Sequence, residues 1–168
     1  MKISFKEIVL KRLCVEDIEL LRQWRNSDLV SDYMFFQEEI NLAMQTKWFE
    51  SLHSENDFYF IIEYKQTPIG LINIKNIDWQ KKQGEAGLFV ALEKYRNTPL
   101  AIYASLALLT DCFEEKQLEW IFAKVKNNNL HTIAYNQSLG FRKLEGEKYV
   151  LTKERYYTFT KRLHQKLK

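Results

Sequence analysis

Apolar residues recur along this chain with two different periods, and the changes of period divide it into elements. Residues 7–14 (EIVLKRLC) read as a first strand. Between 16 and 26, Ile18, Leu21 and Trp24 fall at helical spacing behind the acids Glu16 and Asp17, which predicts a helix. A second helix is predicted over 41–53, with Asn41 as its N-cap and Met44, Trp48 and Leu52 along one side. The stretch 57–64 (DFYFIIEY) is aromatic and β-branched, 66–68 (QTP) reads as a turn, and 69–77 (IGLINIKNI) reads as a returning strand, so a hairpin is expected. A further strand is expected over 84–92. A helix follows over 99–116, apolar almost all round from Leu100 to Leu109, with proline at its first position, where no intrahelical N–H is lost. Residues 119–126 alternate as a strand, 129–139 form a short helix, and 141–151 with 155–163 read as a closing pair of strands.

The expected order is therefore β-α-α-β-β-β-α-β-α-β-β, a mixed α/β sheet with helices on its faces. With two prolines, five glycines, no repeat and no low-complexity linker, residues 1–168 read as a single domain. Strand, helix, strand over 85–126 is a right-handed crossover, and ligands of such sheets gather at the carboxyl ends of the strands. That directs attention to residues 85–101 and 126–136.

Charge narrows the function classes. Twenty-five basic against 22 acidic residues leave a mild excess of +3, too small for a nucleic-acid-binding face unless the charges cluster. The one basic concentration, Lys161, Arg162, Lys166 and Lys168, reads as a solvated tail. Cys14 and Cys112 sit in apolar contexts without metal-ligand spacing and read as two buried thiols in a reducing compartment. His53, His131 and His164 are scattered, and no metal is expected. The start lacks the apolar core of a signal peptide and no stretch reaches the length of a membrane span, so the expectation is a cytoplasmic protein with no membrane or nucleic-acid partner.

The segment Asn129-Leu-His-Thr-Ile-Ala-Tyr-Asn-Gln-Ser-Leu-Gly-Phe141 resembles the Asn-x-x-Ser/Ala-Ile-x-x-Tyr-x-x-x-Gly-Phe ending of the GCN5-related (GNAT) N-acetyltransferases, with Asn129, Ile133, Gly140 and Phe141 in register. The strand from Glu85 to Leu92 followed by Tyr95-Arg96 is similar to that family's entry into its pyrophosphate loop, and Ile69-Gly70 is a third match. The resemblance implies a mostly antiparallel sheet of about seven strands flanked by about four helices, with acetyl-CoA as co-substrate. It assigns the cofactor to main-chain groups at Phe89, Val90 and Ala91, to the loop Arg96, Asn97, Thr98, Leu100 and Ala101, and to Asn129 and Asn136. Backbone N–H groups at a helix N-terminus, with the positive end of its dipole behind them, hold a pyrophosphate. Two positions differ from the family pattern. Pro99 stands where glycine is usual and removes one donor, with the Thr98 hydroxyl and the Arg96 charge as compensation. Asn136 stands where the family has a tyrosine that protonates the departing thiolate, and an amide does not titrate near neutrality. Tyr135 is either that acid or a packed core aromatic.

Glu85, at the start of the strand beside the cofactor, is the candidate base for an ammonium proton, or else a solvated strand end. Trp24, Arg25, Tyr33, Met34 and Trp48 resemble the acceptor region of enzymes that acetylate nucleotide-linked amino sugars in the pseudaminic-acid pathway. Aromatic surfaces sandwich a base or sugar, and Arg25 can meet a diphosphate. The two tryptophans also fit core positions at helical spacing. The expectation is an N-acetyltransferase acting on a small-molecule amine, as a monomer or homodimer. A ribosomal-protein-type N-terminal acetyltransferase stays open, as does a non-catalytic domain that binds a ligand or partner. An acidic groove would favour the peptide acceptor, an aromatic cleft with Arg25 the sugar, and a cleft plugged by Tyr135 or Tyr95 the non-catalytic domain.

Overall fold

The computed structural model describes residues 2–166. Its strands are β1 (Ile3–Phe5), β2 (Ile8–Arg12), β3 (Phe58–Tyr64), β4 (Thr67–Asp78), β5 (Gln83–Val90), β6 (Trp120–Lys124), β7 (Arg142–Glu145) and β8 (Lys148–Thr152). They form one sheet in the order β1-β2-β3-β4-β5-β6-β8-β7, antiparallel throughout except for the parallel pair β5–β6. The helices are α1 (Ile18–Asn26), α2 (Asp28–Ser31), α3 (Leu42–Glu50), α4 (Leu100–Glu114), α5 (Leu130–Ser138) and α6 (Lys153–Lys166). The architecture is the mixed sheet expected, with one more strand and two more helices.

Alternation along the strands gives the sheet two apolar faces. Ile8, Leu10, Phe60, Ile62, Ile72 and Ile74 turn toward α4, while Tyr59, Ile61 and Leu71 turn toward α1 and α3. Two strands are gained and one is lost: Lys6 takes a left-handed φ of 54° and folds the N-terminal stretch into the β1–β2 hairpin, and 141–151, read as one strand, turns at Gly146 (φ 52°) into the β7–β8 hairpin, whereas 155–163 forms none. The β3–β4 turn is tighter than 66–68: Lys65 and Gln66 carry the positive φ values, and Pro68 already lies in β4 opposite a bulge at Ile62/Glu63, where a missing N–H is tolerated. Asn41 caps α3 by accepting from the Met44 N–H at 2.8 Å, as the sequence predicts.

Two sequence expectations are corrected. Residues 155–163 belong to α6, not to a strand. Tyr156 and Thr160 are both fully buried four residues apart, and Tyr156 bonds the Thr110 hydroxyl of α4 at 2.8 Å, so helical period overrides an aromatic and β-branched composition. Cys14 is half-buried, and its Sγ hydrogen-bonds to the Asp17 carboxylate at 3.1 Å; Cys112 is buried, and both are free thiols. Lys161 and Arg162 are exposed, whereas Lys168 and the side chain of Lys166 lie outside the described residues. No helix among the described residues is long and apolar enough to cross a membrane.

Candidate active site

β5 and β6 pair only where Gln83, Gly84 and Glu85 face Trp120, Ile121 and Phe122. Beyond Glu85, β5 stays paired with β4 to Val90 and β6 stays paired with β8 to Lys124, so the two parallel strands part toward their carboxyl ends. The wedge between them opens into a cleft of about 1090 Å³. On the β4 side, the Ala91 N–H bonds the Ile69 carbonyl at 2.8 Å. Bonded pairs alternate in an antiparallel ladder, so Phe89 and Gly87 also turn their main chain to β4, while the N–H and C=O groups of Val90 and Leu88 face the opening. They form an unpaired strand edge within the fold.

The loop entering α4 borders this edge. Arg96 is half-buried and makes no ion pair or side-chain hydrogen bond among the described residues, and Asn97 takes a left-handed φ of 59°. Asparagine tolerates that conformation, so the turn glycine would supply is made one residue ahead of Thr98-Pro99. Pro99 is the N-cap of α4 rather than its first residue, and its carbonyl accepts from the Tyr103 N–H at 3.0 Å. The Ala101 and Ile102 N–H groups of the first turn have no acceptor within the helix. The Thr98 hydroxyl donates to the Tyr95 carbonyl at 2.6 Å, so its proton does not face an incoming phosphate.

Fourteen of the residues singled out from sequence border the cleft: Glu85, Phe89, Val90, Arg96, Asn97, Thr98, Ala101, Asn129, Tyr135 and Asn136, together with Arg25, Tyr33, Met34 and Trp48. Three do not. Trp24 is buried between α1 and the sheet, edge-on to Phe89 with ring centroids 6.2 Å apart. Leu100 turns into the core, and Ala91 is buried with its N–H engaged by Ile69.

Glu85 stands where the strands part, 3.7 Å from the Lys75 ammonium. It borders both the cleft and a smaller cavity of about 330 Å³ shared with Gln83, Lys124 and Lys148. Tyr135 borders the cleft with its hydroxyl engaged inside the fold. Its hydroxyl donates to the Ala101 carbonyl at 2.6 Å and is also bonded to Ser105, and burial pushes its pKa well above the usual phenol range. It ties α5 to α4, and Asn136 also borders the cleft. Tyr135→Phe is expected to destabilise the fold by about 1 kcal/mol through one lost hydrogen bond. Turnover should stay within about twofold, a combination that thermal melting and initial rates read directly.

On the α1/α3 side, Trp48 stands edge-on to Tyr59 at 4.9 Å, and the Arg25 guanidinium lies 5.0 Å from the Trp48 ring centre. Burial lowers the Arg25 pKa from its usual range, an effect that Tyr59 partly opposes, and the Tyr59 pKa is itself pushed up to about 12, chiefly by burial. Exposed Phe35 and Phe36 edge the mouth, with the Lys126 ammonium 5.9 Å from the Phe35 ring across it. Five cations, Arg25, Lys75, Arg96, Lys124 and Lys126, and one carboxylate, Glu85, border the cleft. Sequence reasoning passed over Asn73, Lys75 and Tyr59. Their signal was a polar atom in otherwise apolar strands, which is legible only once the two faces are assigned.

A family model described as an acetyltransferase (GNAT) domain matches residues 7–142. An uncharacterised protein of Methanocaldococcus jannaschii is 21% identical over 140 residues, 82% of this chain; the match spans only 28% of that relative's length. Among solved structures, apo FdhC, a nucleotide-linked sugar GNAT, superposes with a TM-score of 0.81 at 18% identity, over 100% of this chain and 99% of its own. A spermidine N-acetyltransferase from Vibrio cholerae, in complex with CoA and spermine, gives 0.79 at 16% identity over 89% and 98%. The parted strands, the free strand edge and the open first turn of α4 are thus features of a chain that belongs to the GNAT acetyltransferase domain family.

Proposed function

We propose that the chain transfers an acetyl group from acetyl-CoA to a primary amine of a small acceptor, and that the acceptor is a nucleotide-linked amino sugar. The observation that carries the transfer is the open wedge: the unpaired Leu88–Val90 edge lies beside the uncapped first turn of α4, with a carboxylate at its closed end. The strand edge hydrogen-bonds the pantetheine amides, and Arg96 with the Ala101 and Ile102 N–H groups holds the pyrophosphate. A Val90 or Leu88 N–H polarises the thioester carbonyl. Glu85 takes one proton from the ammonium. The neutral nitrogen attacks the carbonyl carbon, the C–N bond forms, and the C–S bond breaks with its electron pair leaving on sulfur. The second nitrogen proton then passes to the thiolate through solvent, because Asn136 supplies no acid and the Tyr135 proton is held by Ala101.

Neither Tyr95 nor Tyr135 fills the wedge, which favours turnover over a non-catalytic domain. The single carboxylate among six charged residues disfavours the terminus of a basic peptide as acceptor. Arg25 beside an aromatic wall suits a nucleotide diphosphate. Calorimetric titration with acetyl-CoA tests the reading. Micromolar binding is expected, weakened about tenfold or more in Arg96→Ala, since a charge-assisted hydrogen bond contributes ~1.5–3 kcal/mol. No binding at millimolar ligand, or an unchanged affinity in the variant, would remove respectively the transfer or the role of Arg96.

A further inference from the structure

We infer that Asn73 is a substrate-binding residue that reads an oxygen on the carbon next to the reacting amine, so that the acceptor is an amino alcohol such as an amino sugar and not a polyamine. This rests on the acetyl-transfer reading above and adds the residue that sets acceptor class. Asn73 borders the cleft at only 8% exposure, and its Nδ2 is buried without a hydrogen-bond acceptor among the described residues. Arg25 Nε is in the same condition on the same face. A buried donor is almost always paired, so two orphaned donors bordering one cleft point to oxygen atoms supplied by a ligand.

Register fixes where that oxygen sits. Tyr59 of β3, Asn73 of β4 and Gly87 of β5 form one row across the sheet, and Lys75 and Glu85 form the next. Gly87 leaves its place in the row bare. A Cβ built there would stand 2.8 Å from Asn73 Oδ1, so the absent side chain is what lets the amide lie against β5. Successive rows on one face are about 7 Å apart, so two hydrogen bonds of about 3 Å reach an amine at Glu85 and an oxygen on the neighbouring carbon at Asn73. A hydroxyl accepts from Nδ2. A protonated polyamine carries donors alone, leaves Nδ2 and Arg25 Nε unpaired, and brings its charges into a cleft with five cations and one carboxylate.

The test is calorimetric titration of the protein saturated with coenzyme A, using UDP-glucosamine and spermidine as probes. UDP-glucosamine is expected to bind at least about tenfold more tightly than spermidine. Asn73→Ala should weaken it by about tenfold while leaving coenzyme A affinity unchanged. Gly87→Ala, which keeps the amide but displaces it, should weaken it likewise. Spermidine binding as tight as UDP-glucosamine, no binding of UDP-glucosamine, or sugar affinity unchanged in Asn73→Ala would overturn the assignment while coenzyme A still binds. Loss of coenzyme A binding in the wild type would instead overturn the transfer reading, and this one with it.

Discussion

Glu85→Gln is expected to lower the turnover number by about 10²- to 10⁴-fold at neutral pH, the range a positioned general base contributes. Glutamine keeps the shape of the side chain and loses its ability to take a proton. The ion pair with Lys75 is also lost, but at 3.7 Å, with both side chains partly exposed, it contributes little to stability, and the melting temperature should barely move. The affinity for coenzyme A should also be unchanged, because the proposed cofactor contacts begin at Leu88, beyond the point where β5 leaves β6. The sign of the pH effect separates a base from a bystander. As pH rises toward the acceptor's own amine pKa, the neutral fraction grows about tenfold per unit and the need for a base diminishes, so the gap between variant and wild type should narrow. Rates for both proteins across pH 6–10 read this. A variant as fast as wild type at pH 7 would reduce Glu85 to a solvated strand end.

The sequence made the site's neighbourhood legible because the strongest local signals coincide with it. The alternating strand that became β5, the proline ahead of an apolar helix and the asparagine before 130–138 are each encoded within a few residues, and each element was anticipated. The splay of β5 from β6 was not legible, since it depends on where pairing stops between partners 37 residues apart, a property that no local period carries. Asn97 shows an intermediate case. Proline in place of glycine at position 99 implied one lost donor, and the left-handed turn is carried two residues earlier by an asparagine, which tolerates it. Trp24 and α6 were misjudged on opposite grounds. Trp24 lies at core spacing with Ile18 and Leu21 yet was drawn into the site by its chemistry, whereas Tyr156 and Thr160 had core spacing for a helix yet were read by their strand-forming type.

Gly70→Ala is expected to damage stability and coenzyme A binding together, which ties the fold to the site. A Cβ at Gly70 would stand 2.2 Å from the Phe89 carbonyl oxygen and 3.0 Å from the Val90 Cα, so it meets the backbone of β5 rather than a side chain that can rotate away. Gly70 and Val90 are cross-strand partners, and the Ile69–Ala91 hydrogen bond lies one pair on. The strand must therefore move or the pairing must break. Overpacking of this kind costs about 1–3 kcal/mol, and ~2–4 °C per kcal/mol gives a melting point lower by roughly 2–12 °C. The same displacement shifts the Leu88 and Val90 main-chain groups proposed to hold pantetheine and to polarise the thioester, and an error of about 1 Å there lowers the rate by about 10²-fold. Gly146→Ala separates this crowding from loss of glycine as such. Gly146 has a φ of 52° and nothing within 4 Å of a Cβ, so that variant bears only the left-handed strain of ~1–2 kcal/mol, in the β7–β8 hairpin away from the cleft. If the two variants lose similar stability but Gly70→Ala alone loses coenzyme A affinity, the strand edge is the binding element. Equal affinity in both would move the pantetheine contacts off β5.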